Sequence, residues 1–326
     1  MTNLLKIDIF IVSQRNLLMM SKQRIVSFLP SATELLYELG AGDQLYGVTH
    51  ECLYPEDAKS KPRVIDTIID SSRMSSQEID MATCKLMDEG KDIFVLQEGN
   101  LKKACPDLIF SQTTCEVCAA HTNQVQRAIE ILGKKPFLHS IDPHNLDEIL
   151  QSIIDVARLI GKEKQGEKLR ESLQKRIDYI KNLNHSVIPK VLAIEWISPF
   201  FTSGHWIPQM IEISGAKNQI TKIGEHSKRL EFNEIKSSDP EIIVLMPCGF
   251  DTQRTILEYN KFLKDNLEWN SLSAVKNKQV YAVDANSYFS KPSIRTITGL
   301  EILAKIFHPE KFDHIQIPEN SFSRIG

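Results

Sequence analysis

The chain has 326 residues, 42% hydrophobic and 25% charged, with 39 basic and 42 acidic side chains giving a net charge of −3. This is enough for two domains of ordinary size, and the composition excludes a disordered or fibrous protein. Charges of both signs are mixed along the chain, which argues against a nucleic-acid partner, and no apolar run reaches the roughly 18 residues of a membrane span.

Residues 1–21 read as a leader. Leu4 to Val12 is interrupted by Lys6 and Asp8, and no small-residue cleavage site follows, so it is a weak signal peptide and a start at Met20 is an equal reading. Arg24–Leu29 is a short β-rich run ending at Pro30. Ser31, with Glu34 three residues on, predicts a capping box opening a helix over Thr33–Leu39, which Gly40 ends. Leu45–Val48, Ile93–Leu96 and Leu108–Phe110 are further short apolar runs bounded by breakers. Such alternation predicts a mostly parallel sheet covered by helices.

The second half echoes the first. Glu38-Leu-Gly-Ala-Gly-Asp-Gln-Leu45 is matched by Ile213-Ser-Gly-Ala-Lys-Asn-Gln-Ile220, and Cys105-Pro-Asp-Leu-Ile-Phe110 by Asp239-Pro-Glu-Ile-Ile-Val244, in the same order. The ordered pair predicts two lobes of related topology. Between them, Asn145–Ile160 has a wide apolar face, and Lys162–Leu183 carries Leu169, Leu173, Ile177 and Ile180 as a narrow stripe on a mostly charged helix, roughly 33 Å long at 1.5 Å per residue. The expected divisions are a first α/β lobe over 22–161, a connecting helix over 162–184, a second α/β lobe over 185–318 and a tail over 319–326.

Open α/β sheets bind ligands at the carboxyl ends of their strands. The segments there are Pro30-Ser-Ala-Thr33, Thr49-His-Glu-Cys-Leu-Tyr54, Gln112–Cys118, Glu195–Trp206, Pro247–Asp251 and Asn286–Ser293. They yield the candidate ligand-binding residues Pro30, Ser31, Thr33, His50, Glu51, Cys52, Tyr54, Thr114, Cys115, Trp196, Gly204, His205, Trp206, Phe250, Tyr288 and Phe289. Aromatics mixed with small residues, thiols and imidazoles suit a large flat ligand that carries a metal and polar edges. His50 or His205 could supply an axial imidazole to such a metal, and the alternative for each is a loop histidine satisfied by its neighbours. Trp196 and Trp206, two of three tryptophans, offer a stacking platform, whereas Trp269 lies on an amphipathic segment and reads as core. Cys115-x-x-Cys118 reads as a pocket wall or helix start, with redox or metal chemistry as the alternative. No Ser–His–Asp set, P-loop or dinucleotide fingerprint is legible, so no catalytic residue is assigned and no cofactor is required.

With these motifs in order from Arg24 to Pro309, the chain resembles the class III (helical-backbone) substrate-binding proteins of ABC importers, in the vitamin B12 and ferric-siderophore group, within it the cobalamin-binding branch. The resemblance rests on Arg24-Ile-Val-Ser-Phe-Leu-Pro-Ser-Ala-Thr-Glu34, Gly47-Val-Thr-His-Glu-Cys52, Cys115-Glu-Val-Cys118, Glu195-Trp196 with Gly204-His-Trp206, Pro247-Cys-Gly-Phe250 and Tyr288-Phe-Ser290. It implies an α/β fold of two Rossmann-like lobes joined by one long α-helix, a ligand cleft between the lobes, a corrinoid such as cobalamin or cobinamide as ligand, and an ABC permease and ATPase as partners of a monomer. Haem or a ferric siderophore is the alternative ligand, and a Cys-dependent redox or metal-handling enzyme the alternative of another class. The weak leader predicts a cytoplasmic location, with an extracytoplasmic, membrane-associated one as the alternative.

Overall fold

Two runs of short, apolar strands dictate two separate sheets. In the computed structural model, residues 23–112, 122–183 and 187–325 are described. The first sheet contains β1 (Ile25–Ser27), β2 (Leu45–Thr49), β3 (Arg63–Thr67), β4 (Phe94–Leu96), β5 (Leu108–Ser111) and β6 (Phe137–Ser140), in the order β4-β3-β2-β1-β5-β6. Neighbours are parallel except β4, which runs antiparallel to β3. Every residue of β1 is buried, as expected of a central parallel strand covered on both faces. The chain winds outward from β1 on one side and returns to β5 on the other, so β1 and β5 flank a topological switch point.

The second sheet contains β7 (Lys190–Trp196), β8 (Phe201–Thr202), β9 (Lys217–Asn218), β10 (Lys228–Arg229), β11 (Ile242–Leu245), β12 (Val280–Val283) and β13 (Phe322–Arg324). Its order is β10-β8-β7-β11-β12-β13, with β9 paired to β7. Strands β7, β11 and β12 form the parallel heart, while β8, β10 and β13 are antiparallel additions. The segment read as a tail therefore supplies an edge strand of this sheet.

The compact units are 1–68 with 92–142 and 150–172, and 69–91 with 143–149 and 173–326. The division differs from a cut at each end of a connecting helix. The helix Ser76–Asp88, inside the expected first lobe, groups with the second unit, and the long helix Glu163–Lys181 contributes its first half to one unit and its second half to the other. Of its predicted stripe, Leu173, Ile177 and Ile180 are buried and Leu169 is half-buried. In the first unit, a Cβ added at Gly166 would stand 2.4 Å from the Ala157 Cβ, so the absence of a side chain lets this helix lie close against Leu146–Leu159. In the second unit, Arg176 grips Glu301 with Nε at 2.8 Å and Nη2 at 2.7 Å, and donates to Thr298 Oγ1 at 3.0 Å. That fork ties the helix to Thr296–Phe307.

The sequence echoes have a geometric counterpart. Cys105 ends the helix Glu98–Ala104 in a left-handed conformation at φ 42°, and Asp239 ends Phe232–Ser238 at φ 41°. Each is followed by a proline that cannot continue the helix, then by a buried strand, β5 or β11. The two units reach their inner strands through the same stop.

Candidate functional site

The loop after β1 corrects the capping expectation. The helix runs from Pro30 to Glu38, Leu29 is its N-cap and no side chain caps it. Proline at the first helical position explains this, because its ring presets φ and removes a donor that would otherwise need a partner. Ser31 and Thr33 lie inside the first turn and are buried, and so is Pro30. The capping boxes occur elsewhere, at Ser75 with Glu78 and Glu231 with Glu234.

After β2, the chain splits its candidates by burial. The Cys52 thiol is buried between Thr33 Oγ1 at 3.1 Å and Thr49 Oγ1 at 3.4 Å, a packing role that shields it from solvent. His50 and Glu51 are half-buried. The His50 backbone N–H donates to Ile65 O at 3.1 Å, its ring lies 6.0 Å from Phe94, and its buried Nδ1 has no hydrogen-bond partner. Leu53 and Tyr54 present large apolar surface to solvent, at 46% and 49% exposure. An orphaned imidazole nitrogen beside exposed apolar and aromatic side chains is a plain candidate for ligand contact. Thr114, Cys115, Cys118 and His121 lie outside the described residues.

In the second unit, Trp196 is half-buried and meets the buried Phe250 edge-on, with ring centres 5.5 Å apart. The Arg254 guanidinium sits 3.8 Å over Phe250 while donating to Ser71 O at 2.6 Å and Met74 O at 3.0 Å. Trp206 does not form the expected platform with Trp196: it is buried, and its Nε1 donates to Phe289 O at 3.2 Å. Phe289 is buried too, whereas Tyr288 is half-buried beneath Arg295, 5.0 Å from its ring centre. Trp269, read as core, is fully buried.

Gly204 and His205 join two loops. A Cβ at Gly204 would fall 2.4 Å from Ser227 N and 2.5 Å from Glu225 O. His205 N–H donates to Glu225 O at 2.6 Å, Gly224 N–H donates to His205 O at 2.9 Å, and His205 adopts a left-handed φ of 53°. This arrangement gathers three imidazoles. Ring centres are 5.0 Å apart for His205–His226, 5.7 Å for His144–His205 and 5.9 Å for His144–His226. The buried Nδ1 atoms of His144 and His205 have no partner. Sequence inspection singled out His205 but not His144 or His226, because isolated histidines in separate loops share no spacing that signals convergence. Among the described residues, no three His, Cys, Asp or Glu side chains are already arranged as a metal centre.

Burial, and then the His226 and His144 imidazoles, push the His205 pKa from 6.5 down to about 4. His205 is therefore neutral in the folded protein at pH 7. Below pH 6.5 the unfolded chain takes up this proton and the folded one does not, so stability falls between pH 6.5 and pH 4 and this group adds no further loss below. The full shift would correspond to about 3 kcal/mol at ~1.4 kcal/mol per pH unit, and screening of this partly exposed ring reduces it to roughly 1–2 kcal/mol. Urea unfolding at pH 7 and pH 4.5 should show that much extra loss in wild type relative to His205→Gln; equal losses in both would refute the assignment.

Comparison with known proteins gives this geometry a context. The chain is 24% identical over 298 residues to the uncharacterized ABC transporter substrate-binding lipoprotein YvrC of Bacillus subtilis, covering 89% of this chain and 81% of that protein. It is 23% identical over 283 residues to a vitamin B12-binding protein of Vibrio cholerae, covering 86% and 87%. A periplasmic haem-binding protein of Pseudomonas aeruginosa superposes with a TM-score of 0.67 at 16% identity, covering 93% and 98%, which shows the shared fold. Residues 25–287 match the family described as periplasmic binding proteins. That match, with the lipoprotein relative, overturns the cytoplasmic location read from the weak leader, because proteins of this kind work outside the cytoplasm. The α/β fold with its two sheets and the matched span, which covers most of the chain, agree: the chain belongs to the periplasmic binding protein family.

Proposed function

We propose that the protein captures a corrinoid, cobalamin or cobinamide, as the substrate-binding component of an ABC uptake system with a membrane permease and an ATPase. The observation that carries the choice of ligand is the state of the cations near the post-strand loops. Arg254 is committed to the Ser71 and Met74 carbonyls, Lys291 Nζ donates to Asn286 Oδ1 at 2.8 Å, and Arg295 covers Tyr288. A corrinoid presents neutral amide edges, which call for hydrogen bonds and apolar contact. Haem presents two carboxylates and ferric siderophores are commonly anionic, and both call for cations that are not already engaged. The vitamin B12-binding relative supports the same choice.

Within the first unit, His50 with Leu53 and Tyr54 supplies an imidazole and apolar surface, and in the second Trp196 and Tyr288 supply aromatic surface. Titration with aquocobalamin and with cobinamide, followed by visible absorption, tests the reading. Micromolar binding with a shifted spectrum is expected. His50→Ala should abolish the spectral shift if the imidazole meets cobalt, and weaken binding without changing the spectrum if it only packs. Micromolar binding to haem with none to either corrinoid would overturn the proposal.

A further inference from the structure

The geometry points to a second binding site in this protein: His144, His205 and His226 together bind a divalent transition-metal ion such as Zn2+. The cluster lies wholly within the second unit; it assigns His205 to this ion and leaves His50 as the imidazole of the corrinoid reading.

Three observations carry the inference. The first is spacing. An imidazole nitrogen binds Zn2+ at about 2.0–2.1 Å with the ring centre roughly 1.1 Å behind it, so three rings at tetrahedral angles have centres roughly 5 Å apart. The observed separations, 5.0, 5.7 and 5.9 Å, are close to that figure. The second is want of partners: Nδ1 of both His144 and His205 is buried without one, and a buried polar atom in that state signals a missing group. The third is pre-organisation. The loops bearing the rings are locked by the His205–Glu225 and Gly224–His205 backbone bonds, and a Cβ at Gly204 would strike the backbone at 225–227. His144 is fixed from its own side, its N–H donating to Glu148 Oε2 at 2.7 Å just ahead of the helix Leu146–Leu159.

The ligating atoms do not already meet at one point, so binding requires the rings to turn about χ2. That torsion is broad and roughly two-fold for histidine, and the turn leaves the backbone in place. A neutral imidazole is the form a metal takes, so binding should weaken as the solution is acidified. A fourth position is left to water, because three imidazoles complete only part of a tetrahedron.

The test uses untagged full-length protein. Titration with Co2+ should give the intense visible bands of tetrahedral cobalt, and Zn2+ competing against a chromophoric chelator should bind with micromolar affinity at one ion per chain. His226 is exposed, so His226→Gln leaves the fold intact and isolates its role as ligand. Losing even an outer-shell partner of a metal costs roughly 10–100-fold in affinity, so His226→Gln and His144→Gln should each cost at least that. Weak octahedral-type absorption, no saturable Zn2+ binding, or affinity unchanged in both variants would overturn the site. Corrinoid titration of the same samples keeps the two readings separate, since either kind of binding can fail while the other stands.

Discussion

Replacing Trp269 with alanine is expected to destabilise the second unit by about 3–5 kcal/mol, the cost of emptying a site filled by the largest side chain. Trp269 is completely buried among Leu192, Ile194, Leu230, Ile243, Tyr259 and Leu272, and its ring stacks on Phe200 at 5.9 Å with planes 11° apart. The stacked pair adds to the loss beyond area alone, by about 0.5–1.5 kcal/mol. A unit of this size loses roughly 2–4 °C of melting temperature per kcal/mol, so calorimetry should find the variant lower by on the order of 10 °C. Trp269→Phe keeps a ring against Phe200 and should recover much of the difference. A shift under about 2 °C for the alanine variant would show that this cluster does not hold the unit together.

Gly204→Ala is expected to cost about 3 kcal/mol or more and to disperse the histidine cluster. The added methyl would meet Ser227 N at 2.4 Å, Glu225 O at 2.5 Å and the His226 carbonyl carbon at 2.6 Å. All three are backbone atoms, which cannot swing aside as a side chain would, so the loops must part. Overpacking typically costs 1–3 kcal/mol, about 1 kcal/mol more follows for each hydrogen bond that opens, and two join these loops. As the loops part, the histidine neighbours of His205 withdraw and water reaches its ring. Its pKa should then rise from about 4 toward 6.5, a change visible by NMR titration. A variant that melts like wild type and keeps the low pKa would refute the role given to Gly204.

The architecture was legible because it repeats. Breaker, proline and apolar strand recur at Cys105–Phe110 and Asp239–Val244, and the structure makes both the same left-handed stop before a buried strand. The stripe Leu173, Ile177 and Ile180 was legible because helical spacing reports burial directly. Side-chain roles were less so. A sequence lists Trp196 and Trp206 as equals, yet the turn at Gly204-His205 buries one and leaves the other half-exposed. Ser31 reads as a cap until the proline before it takes the first helical position. His144 and His226 were invisible for a different reason: 61 and 21 residues separate them from His205, and proximity across such gaps is set by how loops pack.

Strand β13 has a consequence for how this protein can be handled. Its pairing of Phe322 with Val283 and Arg324 with Tyr281, extended by Ile325 N–H donating to Val280 O, covers the outer rim of a strand whose four residues are all buried. Cutting the chain before residue 322 would bare a ready-made template for pairing with another molecule. Such a shortened protein should therefore be prone to clump, through a hazard the intact chain suppresses with three residues.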